Sequence, residues 1–241
     1  MKITVVKNYE EMSKEAAKYV ADTLKSNPAC VLGLATGDTP IGTYKELVKM
    51  YEGGELDFSK ATSVNLDEYY PITPDNDQSY RYFMNYHLFD KVNIDKKNTY
   101  VPDGTATDVE AHCKAYEANI DSLGGVDIQI LGIGKNGHIG FNEPDEELIR
   151  GTHLTALTKS TIEANSRFFA SEDDVPKHAL TMGIESVFKA RKILLLVSGA
   201  NKAEAVRAML KGNISTKCPA SFLSLHPDVT LICDEAAYSL V

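Results

Sequence analysis

Apolar positions along this chain follow two periods. Short apolar runs at 2–6, 30–34, 61–66, 126–133, 192–197 and 229–233 are bounded by turn residues and read as buried strands of a parallel sheet. Between them the spacing becomes helical. Asn8 is placed to cap a helix over 9–24, with Met12, Ala16, Tyr19, Val20 and Leu24 on one face. Further helices are expected over 41–51, 79–89, 108–123, 183–188 and 202–210, and short strands over 152–158 and 179–182. The third strand is expected to end in Asp67-Glu68-Tyr69-Tyr70-Pro71, 73–78 reads as a turn, and the aromatic stripe of 79–89 as core. Strand and helix alternate throughout, which predicts an α/β fold. The expected form is Rossmann-like, three layers α/β/α with a mainly parallel central sheet and right-handed crossovers.

Composition narrows this picture. The chain has 241 residues, 43% of them hydrophobic, which suits a single domain over 1–241. The formal net charge is −9 and no basic cluster stands out, which argues against a nucleic-acid partner. An anionic ligand must then be held locally, by a few cations and backbone N–H groups. The four cysteines are widely spaced without a CxxC pair, so neither a disulfide framework nor a zinc site is expected, and a reducing cytoplasmic setting fits. No signal-peptide pattern opens the chain, and no apolar run approaches the roughly 18 residues of a membrane span.

Candidate chemistry gathers where the expected strands end. The strand over 126–133 runs into GIGKNGHIGFNEP, which carries Asn136, His138, Asn142 and Glu143. Open α/β sheets bind ligands at such carboxyl edges. Gly132, Gly134 and Gly137 spell G-x-G-x-x-G, but Pro144 follows soon after and no acid lies about 20 residues on, so a dinucleotide site is disfavoured. The better reading is a loop needing positive φ and close backbone approach. Thr36-Gly37-Asp38-Thr39 joins a strand to a helix start. It is either an anion cradle or an ordinary capped turn. Asp67, at a strand's carboxyl end, is placed for base chemistry or is a surface acid. Arg167 is an anion ligand or a snorkelling surface residue. Lys202 opposes a helix dipole, as an anion ligand would, or is simply solvated.

Five stretches in order, LGLATGDTP, VNLDEYYPI, LGIGKNGHIGFNEP, NSRFF and VSGANKA, together resemble glucosamine-6-phosphate deaminases, also called isomerases. The resemblance spans essentially the whole chain. It implies conversion of glucosamine 6-phosphate and water to fructose 6-phosphate and ammonia, without metal or cofactor. It also implies Asp67 as base for the C2 proton and His138, with Asn136 and Glu143, as the ring-opening group. Thr36, Gly37, Asp38 and Thr39 become the phosphate loop, with Arg167 and Lys202 supplying charge.

The pattern departs from the family in three places. Asp38 stands where relatives carry glycine or serine; its side chain is expected to turn away or to cap the next helix. Asn136 stands where some relatives carry aspartate and cannot act as a base. The stretch after the NEP motif, 151–155, lacks the basic residues with which larger relatives bind an effector, and the chain stops at Val241. A monomeric, non-allosteric form is therefore expected, with 145–176 as a lid. The competing readings are a 6-phosphogluconolactonase and a non-catalytic sugar-phosphate-sensing module.

Overall fold

A computed structural model describes residues 1–166, 169, 171 and 174–241. Arg167 lies outside the described residues. The strands are β1 (Lys2–Val6), β2 (Val31–Leu34), β3 (Thr62–Asn65), β4 (Asp67–Tyr70), β5 (Thr99–Tyr100), β6 (Ile128–Leu131), β7 (His153–Ala156), β8 (His178–Thr181), β9 (Ile193–Val197) and β10 (Val229–Asp234). Seven of them form a parallel sheet in the order β1-β10-β9-β6-β2-β3-β5. Strands β2, β6, β9 and β10 are buried along their whole length, which is why they read as unbroken apolar runs. The edge strand β1 instead leaves Ile3 and Val5 exposed.

Helices flank this sheet. The first, α1 (Tyr9–Ser26), starts at Asn8, whose side chain accepts the Glu11 N–H. It buries Met12, Ala16, Ala17, Val20, Ala21 and Leu24 against α2 (Asp38–Glu52), β9 and β10. From β2 the chain steps outward to β3 and β5, and from β6 it steps the other way to β9 and β10. The neighbouring pair β2 and β6 is thus the topological switch point, and a crevice opens beyond their carboxyl ends.

The expected third strand differs from the structure. It ends at Asn65, and Asp67-Glu68-Tyr69-Tyr70 forms β4 of a second, antiparallel sheet in the order β4-β8-β7. The crossover is Leu66: its N–H donates to the Leu34 carbonyl of the main sheet, and its carbonyl accepts from Met182. Tyr69 then packs with Ile72, Phe141, Leu157 and Ala179 in a second apolar cluster. Pairing with β8 and the burial of Tyr69 make a strand of what the sequence reads only as the end of one.

The helix expected over 79–89 divides into α3 (Tyr80–Met84) and a π-turn at Asn85–Phe89. It buries Met84, Leu88 and Phe89 but exposes Tyr82 and Tyr86, so the stripe is only partly core. Helix α4 (Val109–Ser122) follows, and the span 145–176 contains β7 and α5 (Lys159–Asn165). The chain closes through α6 (Ile184–Phe188), α7 (Ala203–Leu210) and α8 (Glu235–Tyr238). Among the described residues no helix is long and apolar enough to cross a membrane.

Candidate active site

The first residue of the second sheet is Asp67, 7% exposed. Burial, reinforced by neighbouring Glu68, pushes its carboxyl up to about 8. Alternation along β4 sends Glu68 to the opposite face. There its carboxylate accepts the backbone N–H groups of Tyr69, Tyr80 and Arg81 at the start of α3. Burial pushes Glu68 up to about 7 against those bonds. Glu68 thus anchors a turn and leaves Asp67 as the carboxylate aimed at the crevice side.

The loop after β6 meets Asp67. Gly140 lies in the left-handed region at φ 56°, and a Cβ there would stand 3.8 Å from Asp67 Oδ2 and 3.0 Å from Thr181 Oγ1. Thr181, paired with Asp67 across β4 and β8, accepts the Phe141 N–H. The Asn142 side chain donates to the carbonyls of Ile139 and Met182 at 3.0 and 2.9 Å. Asn142, expected to reach the ligand edge, is instead buried and fastens the loop to β8.

Gly134 is a seat for the histidine. Its N–H donates to the His138 carbonyl, and a Cβ at Gly134 would lie 2.3 Å from the ring carbon Cε1 of His138. Any larger residue would displace the ring. Gly137 opens no helix, and the loop continues as turns through residue 143. Of the three glycines, Gly134 makes room for the histidine and Gly137 for Cys218, whose Sγ would stand 2.6 Å from a Cβ there.

Three of the expected site residues converge here. His138 Nδ1 lies 3.1 Å from Glu143 Oε2, and Asn136 Nδ2 donates to the same oxygen at 2.6 Å. Asn136 Oδ1 also accepts the His138 N–H. Burial would raise the Glu143 carboxyl, but His138, Thr161 and Asn136 outweigh it and hold it down to about 2. An ionised carboxylate only accepts hydrogen bonds, so the His138 tautomer that bonds to it carries its proton on Nδ1. Nε2 is then the nitrogen free to take or give a proton, the arrangement of a carboxylate-oriented base.

The phosphate-loop candidates sit across the switch point. Tyr44 pins Ala35 by accepting its N–H and donating to its carbonyl. Thr36 is half-buried, while Gly37, at φ 90°, and Asp38 are exposed. Gly37 holds the cap position of α2 and Asp38 is its first residue, so the Asp38 charge lies in the first turn, where a helix dipole favours it. Asp38 and Thr39 line a hollow of about 320 Å³ with Tyr9, Ile41 and Ser198, which brings the loops after β2 and β9 together. Lys202, just before α7, donates from Nζ to the Ile133 carbonyl at 2.6 Å and so leans over the end of β6. Burial, then Lys135, lowers its pKa. Among the described residues no group of three or more His, Cys, Asp or Glu could hold a metal.

An open α/β sheet with a buried carboxylate and an oriented histidine beyond its carboxyl edge is the frame of a proton-transfer enzyme, and comparison defines the class. The family model for glucosamine-6-phosphate isomerases and 6-phosphogluconolactonase matches residues 7–232, and the chain belongs to that family. Within it, a glucosamine-6-phosphate deaminase of Clostridium perfringens is 60% identical over 241 residues, all of both chains. One of Halothermothrix orenii is 56% identical over the same full lengths. The solved structure of a monomeric glucosamine-6-phosphate deaminase superposes with a TM-score of 0.98 at 49% identity, covering 100% of each chain. The 6-phosphogluconolactonase of Trypanosoma brucei, at 17% identity and a TM-score of 0.78, shares the fold.

Proposed function

We propose that this chain converts glucosamine 6-phosphate and water to fructose 6-phosphate and ammonia. The observation that carries the proposal is the placement of buried Asp67 against the loop bearing the His138–Glu143–Asn136 cluster. Two proton shuttles and a hydrolysis fit it. First, His138 Nε2 removes the O1 proton and returns it to the ring oxygen, opening the pyranose; Glu143 balances the imidazolium that forms in between. Next, Asp67 takes the C2 proton, giving an enolamine, and delivers it to C1. The resulting fructosimine phosphate adds water and loses ammonia. A carboxyl held up to about 8 is a strong base once ionised. The ammonium group on C2 of the substrate, arriving beside it, favours that ionised form.

The phosphate docks on the N–H groups at the start of α2, with Thr36 and Thr39 as hydroxyl donors and Lys202 and Arg167 as cations. This local set answers how a chain of net charge −9 takes an anionic substrate. The enzyme works as a single chain, like the solved monomeric relative. The test is a coupled assay on fractions from a sizing column, without added metal. Ammonia and fructose 6-phosphate are expected one-to-one, in the peak with the mass of one chain. Hydrolysis of 6-phosphogluconolactone without ammonia release from the amino sugar would overturn the activity; activity confined to a multiple of that mass would overturn the monomer.

A further inference from the structure

Glu143 has two carboxylate oxygens, and the chemistry above uses one. Oε2 serves His138 and Asn136. Oε1 is held from a different element. Thr161 Oγ1, on α5, donates to it at 2.5 Å, the length of a charge-assisted bond between a hydroxyl and a carboxylate. Thr158 Oγ1 stands 3.3 Å from the same oxygen and 3.0 Å from Thr161 Oγ1. A hydroxyl has one proton, so the shorter contacts define a relay: Thr158 donates to Thr161, and Thr161 to Glu143, each bond strengthening the next. Thr158 is also the N-cap of α5, accepting the Thr161 N–H, and Thr161 is 8% exposed. A surface helix of seven residues would not need to bury a hydroxyl for stability. The ring that Glu143 faces is that of His138, while the charges of α5, Lys159 and Glu163, pair with each other at 3.7 Å on its exposed face.

We propose that Thr161, backed by Thr158, is a positioning residue of the proton relay, fixing the plane and the charge of the Glu143 carboxylate so that His138 keeps its proton on Nδ1. The inference rests on the deaminase reading for its kinetic consequence but not for its structural one. A methyl in place of the hydroxyl leaves Oε1 without its shortest donor, and the carboxylate can rotate or take a proton. With Thr161→Val, kcat is expected to fall about tenfold, the factor a hydrogen bond to a charged group commands. KM stays within about twofold, because by this account Thr161 orients Glu143 and does not touch substrate. Thr161→Ser, which keeps the hydroxyl, restores the rate.

A substrate-free readout separates this inference from the deaminase reading. Thermal melts at pH 7 of Thr161→Val, Glu143→Gln and the double variant form a cycle. The clamp predicts non-additivity, with the double variant melting close to Glu143→Gln alone. Non-additive melts in a protein inactive on glucosamine 6-phosphate would keep the clamp and reject the deaminase reading. Additive melts would overturn the clamp, as would an unchanged kcat in Thr161→Val, or a loss that Thr161→Ser does not rescue.

Discussion

Asp67→Asn is expected to lose deaminase activity by about a thousandfold or more, within the span that a positioned general base contributes, and to gain stability at the same time. The two effects share one cause. The native carboxyl is held up to about 8 by burial and Glu68, while in the unfolded chain it titrates near the ordinary value of 3.8. Below about pH 4 it is protonated in both states and contributes no difference. Between about pH 4 and 8 unfolding releases a proton, so wild-type stability falls as pH rises, by about 1.4 kcal/mol per unit where the window is fully open. Asparagine has no proton to lose. Melting curves should therefore coincide near pH 4 and diverge towards pH 8, with the variant melting higher. A variant less stable than wild type at pH 8 would mean that Asp67 is solvated or paired. Activity within tenfold of wild type would remove it from the role of base.

Glu143→Gln should show the opposite stability. The Glu143 carboxyl is depressed to about 2, so it contributes stability above its unfolded value of 4.5 and loses it as pH falls through about 2. That contribution is about 2–3 kcal/mol at neutral pH. The amide would also turn an N–H2 group towards Thr161 or towards His138 and Asn136, all donors here. The variant is expected to melt lower than wild type at pH 7, with the gap closing towards pH 2–3. Activity should fall about 10²- to 10⁴-fold, because His138 no longer has a fixed tautomer. Equal melting at pH 7, or retained activity, would break the link between Glu143 and the histidine. One site thus holds two carboxylates with opposite shifts, one kept basic by burial and one kept ionised by the side chains of His138, Asn136 and Thr161. Such divergent environments mark separate roles in proton transfer.

The parallel sheet was legible because its central strands are buried on both faces and carry continuous apolar runs. The histidine loop was legible as a glycine-rich exit from one of them. Its glycines were harder to interpret. Only the distance from Gly134 to the His138 ring shows that the second glycine makes room for an imidazole. Strand β4 was hidden because its partners, β8 and β7, lie far along the chain, and four residues are too few to display a period. Asn142 looked like a ligand-facing amide, since side-chain direction in a loop has no periodic signal; its partner Met182 is 40 residues away. The Thr161 contact was unreadable for the same reason. The phosphate cations could be named but not joined: Lys202 is anchored to β6 by a single bond to a carbonyl, which leaves no trace in sequence.

The most direct test of the central claim, that buried Asp67 carries the C2 proton to C1, follows a label. Glucosamine 6-phosphate deuterated at C2 is converted in ordinary water, and the fructose 6-phosphate formed is read by NMR at C1. A carrier only 7% exposed exchanges slowly with solvent, so a substantial part of the deuterium is expected at C1, with no labelled product from Asp67→Asn. All of the deuterium in water and none at C1, or label transfer undiminished in Asp67→Asn, would contradict the account.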